Sequence, residues 1–176
     1  MKVVLNSKQI NQILGDLVKQ IISQTPDGQE IVVIGIRSRG EILAQRLSDA
    51  LSETLQREVP CGTLDITLYR DDLNSPGSKP HPHVQTTEIS FDIDDKIVIL
   101  VDDVLYTGRS TRAAMAALID LGRPRAIRLA VLIDRLIGRE FPIQADYIGF
   151  KSDVSAEQLV QVNLLESDGK DEVTVK

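Results

Sequence analysis

The sequence predicts an α/β fold, a doubly wound and mainly parallel twisted sheet with helices on both faces, a small hood and a flexible lid loop. Two observations carry that expectation. Ile31 to Ile36 and Ile97 to Val101 are apolar runs without polar alternation, as expected of strands buried on both faces of a parallel sheet. Each run then gives way to a short turn containing glycine, Arg37 to Gly40 or Tyr106 to Thr111, that opens a helix. The second helix, Ser110 to Leu121, is rich in alanine, places Met115, Leu118 and Ile119 at helical spacing, and stops at Gly122.

From the start of the chain, Asn6 with Gln9 predicts a capping box and a first helix running to about Gln24. Thr25-Pro26-Asp27-Gly28 reads as a turn into the first buried strand. After the Arg37 to Gly40 turn the order expected is helix, strand, loop, strand, strand, helix, strand and a short strand-rich tail. Asp71 to Thr87, with Asn74, Pro76, Gly77, Pro80 and Pro82 and hardly an apolar residue, reads as an excursion from the domain rather than a linker. The whole chain, 1–176, is expected to form one domain, with a loop at about 71–90 that composition reads equally as a lid or a disordered surface loop, and a hood made by that region and the tail.

Composition narrows the classes. A chain of 176 residues with 42% hydrophobic content can bury a core without staples, and no run has the length of a membrane span. The stretch before Asn6 is too short for a secretory signal and the single cysteine excludes an internal disulfide framework, so a cytoplasmic location is expected. Cys61 reads as a packed strand residue. A net charge of −6 makes the molecule as a whole a poor electrostatic match for nucleic acid.

The most informative stretch is Val98 to Thr111, VILVDDVLYTGRST, an apolar strand that delivers two adjacent acids to a small polar turn. Backbone N–H groups of Tyr106 to Thr111, with the Thr107, Ser110 and Thr111 hydroxyls, can hold a phosphate on the positive end of the following helix. Asp102 and Asp103 would repel that phosphate, but ionised carboxylates accept hydrogen bonds from sugar hydroxyls further along the same ligand. Together these features point to a ribose 5-phosphate. G-x-G-x-x-G and G-x-x-x-x-G-K-[ST] patterns are absent, which argues against dinucleotide and Walker-type sites.

Arg37-Ser38-Arg39-Gly40 supplies two guanidinium forks, a hydroxyl and a glycine before a helix, a combination suited to a pyrophosphate. The same residues also fit a bland reading, in which Ser38 and Glu41 form a capping box and the arginines are surface. Asp71 and Asp72 are candidates for water-mediated contacts, or else solvated surface. His81 and His83 lack further metal ligands nearby and read as exposed loop residues.

The acid pair in a window ending T-G-R-S resembles the phosphoribosyltransferases. Gly35 to Gly40, Leu64 to Leu73, and Leu121 to Pro124 followed by Ile127 to Asp134 resemble the PyrR family in particular, over nearly the whole chain. That resemblance implies a type I phosphoribosyltransferase fold and a uracil phosphoribosyltransferase making UMP and pyrophosphate from uracil and 5-phosphoribosyl 1-pyrophosphate (PRPP). It also implies pyrimidine-responsive regulation of pyr mRNA. Asp103, Arg39 and Arg70 take catalytic positions. PRPP is bound by Arg37, Ser38, Arg39 and Gly40 and by Asp102, Asp103, Val104, Leu105, Tyr106, Thr107, Gly108, Arg109, Ser110 and Thr111; the base is bound by Ile133, Asp134 and Arg135. Mg²⁺ is held through ligand oxygens and waters with no direct protein ligand. A lid at 71–90, a non-proline cis peptide in the Arg37 to Gly40 turn, and a homodimer or larger assembly are implied as well.

Two segments depart from the family pattern. Where the family has a Gly-His-Arg-Glu-Leu-Pro turn that frames uracil, this chain reads Leu136-Ile137-Gly138-Arg139-Glu140-Phe141-Pro142, one residue longer and without the histidine. Where the family has Lys followed by Asn-x-Pro-Thr, it reads Phe150-Lys151-Ser152-Asp153-Val154. The first helix is mostly uncharged where arginines are typical, leaving Arg123, Arg125, Arg128, Arg135 and Arg139 as the available RNA phosphate contacts. The alternative function is therefore a non-catalytic sensor of nucleotide or PRPP, or an RNA-binding regulator, with an altered base pocket.

Overall fold

The computed structural model describes residues 2–71, 84–155 and 157–176. Its elements are β1 (Lys2–Asn6), α1 (Ser7–Gln24), β2 (Ile31–Ile36), α2 (Arg39–Leu55), β3 (Cys61–Leu64), β4 (Ile97–Leu105), α3 (Arg109–Leu121), β5 (Ala126–Arg135), β6 (Tyr147–Ser152), β7 (Val160–Asn163), α4 (Leu165–Asp168) and β8 (Glu172–Val175), with a 3₁₀ turn at Thr67–Tyr69. Five strands in the order β3-β2-β4-β5-β6 form a parallel sheet, and β1-β8-β7 form a separate antiparallel one.

Local chemistry explains the helices. The Asn6 side chain accepts from the Gln9 N–H while the Gln9 side chain accepts from the Asn6 N–H, the capping box expected, and α1 ends at Gln24 as expected. Its Ile10, Leu14, Leu17 and Ile21 share one buried face with Leu43, Leu47 and Leu51 of α2, against Val33, Ile99, Val101 and Leu132 of the sheet. On the opposite face Ala113, Ala114, Ala117 and Leu118 of α3 pack on Val98, Leu100, Leu129 and Val131. The all-buried runs in β2 and β4 follow from this double cover.

Three features differ from the sequence reading. The N-terminal stretch is itself a strand, which pairs antiparallel with β8, so β1 joins the tail in the hood. In place of a full strand before Ile97 there is a single antiparallel bridge, Thr63 to Glu88. Most of the expected lid, 72–83, lies outside the described residues. Finally, β4 continues through the acid pair to Leu105 because β5 stays alongside it as far as Asp134. Among the described residues no helix is long and apolar enough to cross a membrane.

Candidate active site

Glycine sets the distance between the two turns. A Cβ on Gly40 would lie 2.6 Å from the Val101 carbonyl oxygen and 3.2 Å from the Asp102 Cα, so only glycine lets the first turn of α2 rest against the acid-pair strand. The Arg37–Ser38 peptide in this turn is cis. Ser38 forms no capping bond; Glu41 instead pairs with Arg37 at 3.1 Å, and the capping box considered from sequence is not formed.

The two arginines of the turn part company. Arg37 donates to the Thr86 carbonyl at 3.0 Å and to the Glu88 carboxylate at 3.2 Å, which ties it to the 86–88 segment. Arg39 pairs with Asp168 at the end of α4, at 2.9 Å, and its positive charge is also felt by Asp103. Arg70 follows the 3₁₀ turn and is exposed.

Asp102 is buried and Asp103 nearly so, at the carboxyl end of the central strand. Each carboxylate accepts a backbone N–H, that of Asp103 at 2.9 Å for Asp102 and that of Val104 at 2.9 Å for Asp103. Burial, reinforced by the charge of Asp103, holds the Asp102 carboxyl well above the ordinary aspartate range. Burial also raises Asp103, against the pull of these hydrogen bonds and of Arg39.

Gly108, in the left-handed region at φ 90°, turns the chain from Leu105 into α3, whose first-turn N–H groups lack helical acceptors and suit an anion. The Arg109 side chain does not point along that axis. It spans Glu140, at 2.7 Å, and Asp71, at 3.0 Å, with the Phe141 ring beneath it. The Glu140 and Phe141 N–H groups both donate to the Thr107 carbonyl, so the 136–142 segment is fastened onto the turn between β4 and α3.

Ile133, Asp134 and Arg135 are buried at the end of β5, next to Val104 and Leu105 in the sheet. The Arg135 guanidinium lies 3.9 Å above the Tyr106 ring and donates to the Ser155 carbonyl at 2.7 Å. Arg139 bridges the Asp134 carboxylate and the Tyr106 carbonyl. Within this turn Gly138 sits at φ 96°, where a Cβ would fall 2.3 Å from the Tyr106 ring. Beside these groups opens a cavity of ≈ 520 Å³ lined by Asp134, Arg139, Phe141, Ile148 and Lys151.

Of the arginines considered for RNA, Arg135 and Arg139 belong to this cluster, while Arg123, Arg125 and Arg128 are exposed at the opposite end of β5. Burial, and the charge of Asp49, push the Cys61 thiol up to about 11, in keeping with a packing role. Asp168 is not picked out by the sequence reading, and Glu140 and Phe141 enter it only as part of the 136–142 turn. Asp168 lies in the polar stretch Glu166 to Asp171, which has the look of an ordinary surface turn. Among the described residues no group of three or more His, Cys, Asp or Glu could hold a metal.

The fold and the order of its turns are those of a phosphoribosyltransferase, and residues 2–167 match the phosphoribosyl transferase domain family. The chain is 50% identical over 172 residues to the bifunctional protein PyrR of Desulfosudis oleivorans, covering 98% of this chain and 94% of that protein. It is 48% identical over 168 residues to the bifunctional protein PyrR of Deinococcus radiodurans, covering 96% and 90%. The chain belongs to the PyrR family of phosphoribosyltransferases. Among solved structures, the hypoxanthine phosphoribosyltransferase of Trypanosoma cruzi shares the fold with a TM-score of 0.74 at 17% identity, over 99% of this chain and 90% of that one.

Proposed function

We propose that this chain transfers the phosphoribosyl group of PRPP to uracil, releasing UMP and pyrophosphate. The observation that carries the reading is the buried acid pair, Asp102 and Asp103, set between two turns suited to phosphates. Two acids at the end of a buried strand are costly, and ribose hydroxyls are partners that offset the cost. In this reading the Thr107–Thr111 turn anchors the 5-phosphate, Asp102 and Asp103 orient the ribose, and the Arg39 end of α2 receives the pyrophosphate. As the C1–oxygen bond to pyrophosphate breaks, positive charge on the ribose faces the carboxylates while N1 of uracil forms the new bond. The N1 proton passes to Asp103 or to solvent; a raised pKa suits the carboxyl to accept it. Arg37, bound to the 85–88 segment and Glu41, braces the turn, and in this reading Arg70 helps stabilise the departing pyrophosphate. The base occupies the region of Ile133, Asp134 and Arg135, next to the cavity beside Arg139.

The oxygen donors at this edge are few and already accept backbone N–H groups, which fits an Mg²⁺ that keeps its waters and binds through ligand oxygens. When bound it neutralises charge on the pyrophosphate. The same reading takes the chain as a cytoplasmic homodimer or larger assembly. Its test is pyrophosphate release with Mg²⁺ and PRPP, comparing uracil with hypoxanthine, guanine, adenine, orotate and no base. Uracil-dependent release that is abolished by Asp103→Asn is the expected result; no release with any base refutes it.

The relatives are named bifunctional, and we read the second function as pyrimidine-responsive binding of pyr mRNA. Arg123, Arg125 and Arg128, exposed together around the start of β5, are the groups that favour it. Gel-shift titration with pyr leader RNA, with and without UMP, at two salt concentrations tests this reading.

A further inference from the structure

The hood reaches the pyrophosphate turn through one carboxylate. Arg39 Nη2 donates to Asp168 Oδ1 at 2.9 Å and Arg39 Nε to Asp168 Oδ2 at 3.3 Å, a two-point contact that sets the guanidinium plane. Asp168 is itself held in place, because its Oδ2 also accepts from the Leu164 N–H at 2.9 Å and the Ser167 hydroxyl at 2.7 Å. These bonds hold its carboxyl at about 2, so it is fully charged wherever the protein works. Gly169, at φ 75°, closes α4 just beyond it.

Attachment of the hood does not depend on this contact. Two turns further along α2, Arg46 donates to Glu166 at 2.8 Å and to Asp171 at 2.8 Å, and Asp171 also accepts from the Leu165 N–H. Arg46 and Asp171 therefore fasten the hood, while the contact nearest the acid pair orients an arginine. A guanidinium has five N–H donors, and the two facing Asp168 fix the directions of the others.

Resting on the phosphoribosyl-transfer reading above, we infer that Asp168 is a positioning residue for the leaving group: it holds the Arg39 guanidinium so that the pyrophosphate of PRPP meets donors already in place, without touching the ligand itself. A long side chain freed of this partner spreads over several rotamers, and ordering it again is charged against pyrophosphate binding in both directions of the reaction.

The test is steady-state kinetics in both directions for the full-length protein and for Asp168→Asn, Asp168→Glu, Arg39→Ala and the Arg39→Ala/Asp168→Asn double variant, with Asp171→Asn as the control that loosens the hood. Asp168→Asn should raise KM for PRPP and for pyrophosphate about tenfold, one charge-assisted contact's worth. KM for uracil should stay within about twofold. Asp168→Glu should recover part of the loss, and the double variant should be no worse than Arg39→Ala, because the two residues act as one unit. Asp171→Asn should lower the melting temperature and leave KM for pyrophosphate alone. If Asp168→Asn behaves like Asp171→Asn, or if its effect multiplies with that of Arg39→Ala, Asp168 is only structural and the inference falls. A parent protein that transfers phosphoribosyl groups while Asp168→Asn matches it refutes the inference alone; a parent inactive with every base refutes the functional reading and the inference with it.

Discussion

Tyr106 and Arg135 stack, guanidinium carbon to ring centroid 3.9 Å, and so join the turn after β4 to the end of β5. Arg139 reinforces the join, since it bonds both the Tyr106 carbonyl and the Asp134 carboxylate. The turn after β4 and the end of β5, the regions proposed for sugar phosphate and base, are thereby one packed unit. We expect Tyr106→Leu to raise KM for uracil about tenfold, the worth of a desolvated cation–π contact, with a smaller change in KM for PRPP. Equal loss on both substrates would show that the stack does not report on the base.

Asp102→Asn should make the protein more stable and less active. A carboxyl whose folded pKa is raised contributes its stabilisation below the unfolded value, and that contribution is lost as the pH rises through the folded value. At neutral pH the buried pair therefore weighs against folding. The amide still accepts the Asp103 N–H but carries no charge, so we expect a gain of about 1–2 kcal/mol in urea unfolding at pH 7. Much of that gain should vanish at pH 4, and kcat/KM should fall about a hundredfold.

The hood should respond to acid with the opposite sign. Hydrogen bonds from Arg46 hold Glu166 and Asp171 below their ordinary ranges, and hydrogen bonds led by the Leu164 N–H do the same for Asp168. Groups with lowered folded pKa values stabilise fully above their unfolded values and lose that contribution as the pH falls through the folded ones. Amides of β8 should accordingly lose hydrogen-exchange protection between about pH 4 and pH 2, ahead of those of β4. Loss of protection in both sheets at one pH would contradict this.

Gly40→Ala should damage both folding and PRPP binding. The added methyl would sit 2.6 Å from a backbone carbonyl of the central strand, which cannot rotate away as a side chain could. A cost of about 1–3 kcal/mol in urea unfolding is expected from such overpacking, together with a rise in KM for PRPP. Gly15→Ala, where nothing lies within 4 Å, is the control and should be neutral or stabilising.

How much was legible in the sequence depended on how local each cause is. The Asn6 and Gln9 cap, the apolar run of β2 and the stop at Gly122 depend on residues within a few positions of one another, and all were read correctly. The pairing of β1 with β8 joins residues at opposite ends of the chain, and neither strand carries a mark of its partner. Side-chain direction was the other blind spot. Arg37 and Arg39 are two residues apart and chemically alike, yet one turns to Glu88 and the other to Asp168. Likewise nothing in the Tyr106 to Thr111 turn marks the Arg109 side chain as one that spans Asp71 and Glu140.

The antiparallel pairing of Lys2 with Val175 has a consequence for the order of events on the ribosome. The parallel sheet can form once β6 has emerged, with the acid pair and both turns present. Yet β1, which precedes that sheet in the chain, waits unpaired for β8, and until β8 arrives the segment carrying Asp168 has no sheet to hold it against Arg39. Long-range pairing of this kind is slow. A nascent chain should thus acquire its core early and its arginine brace only after β8 has emerged.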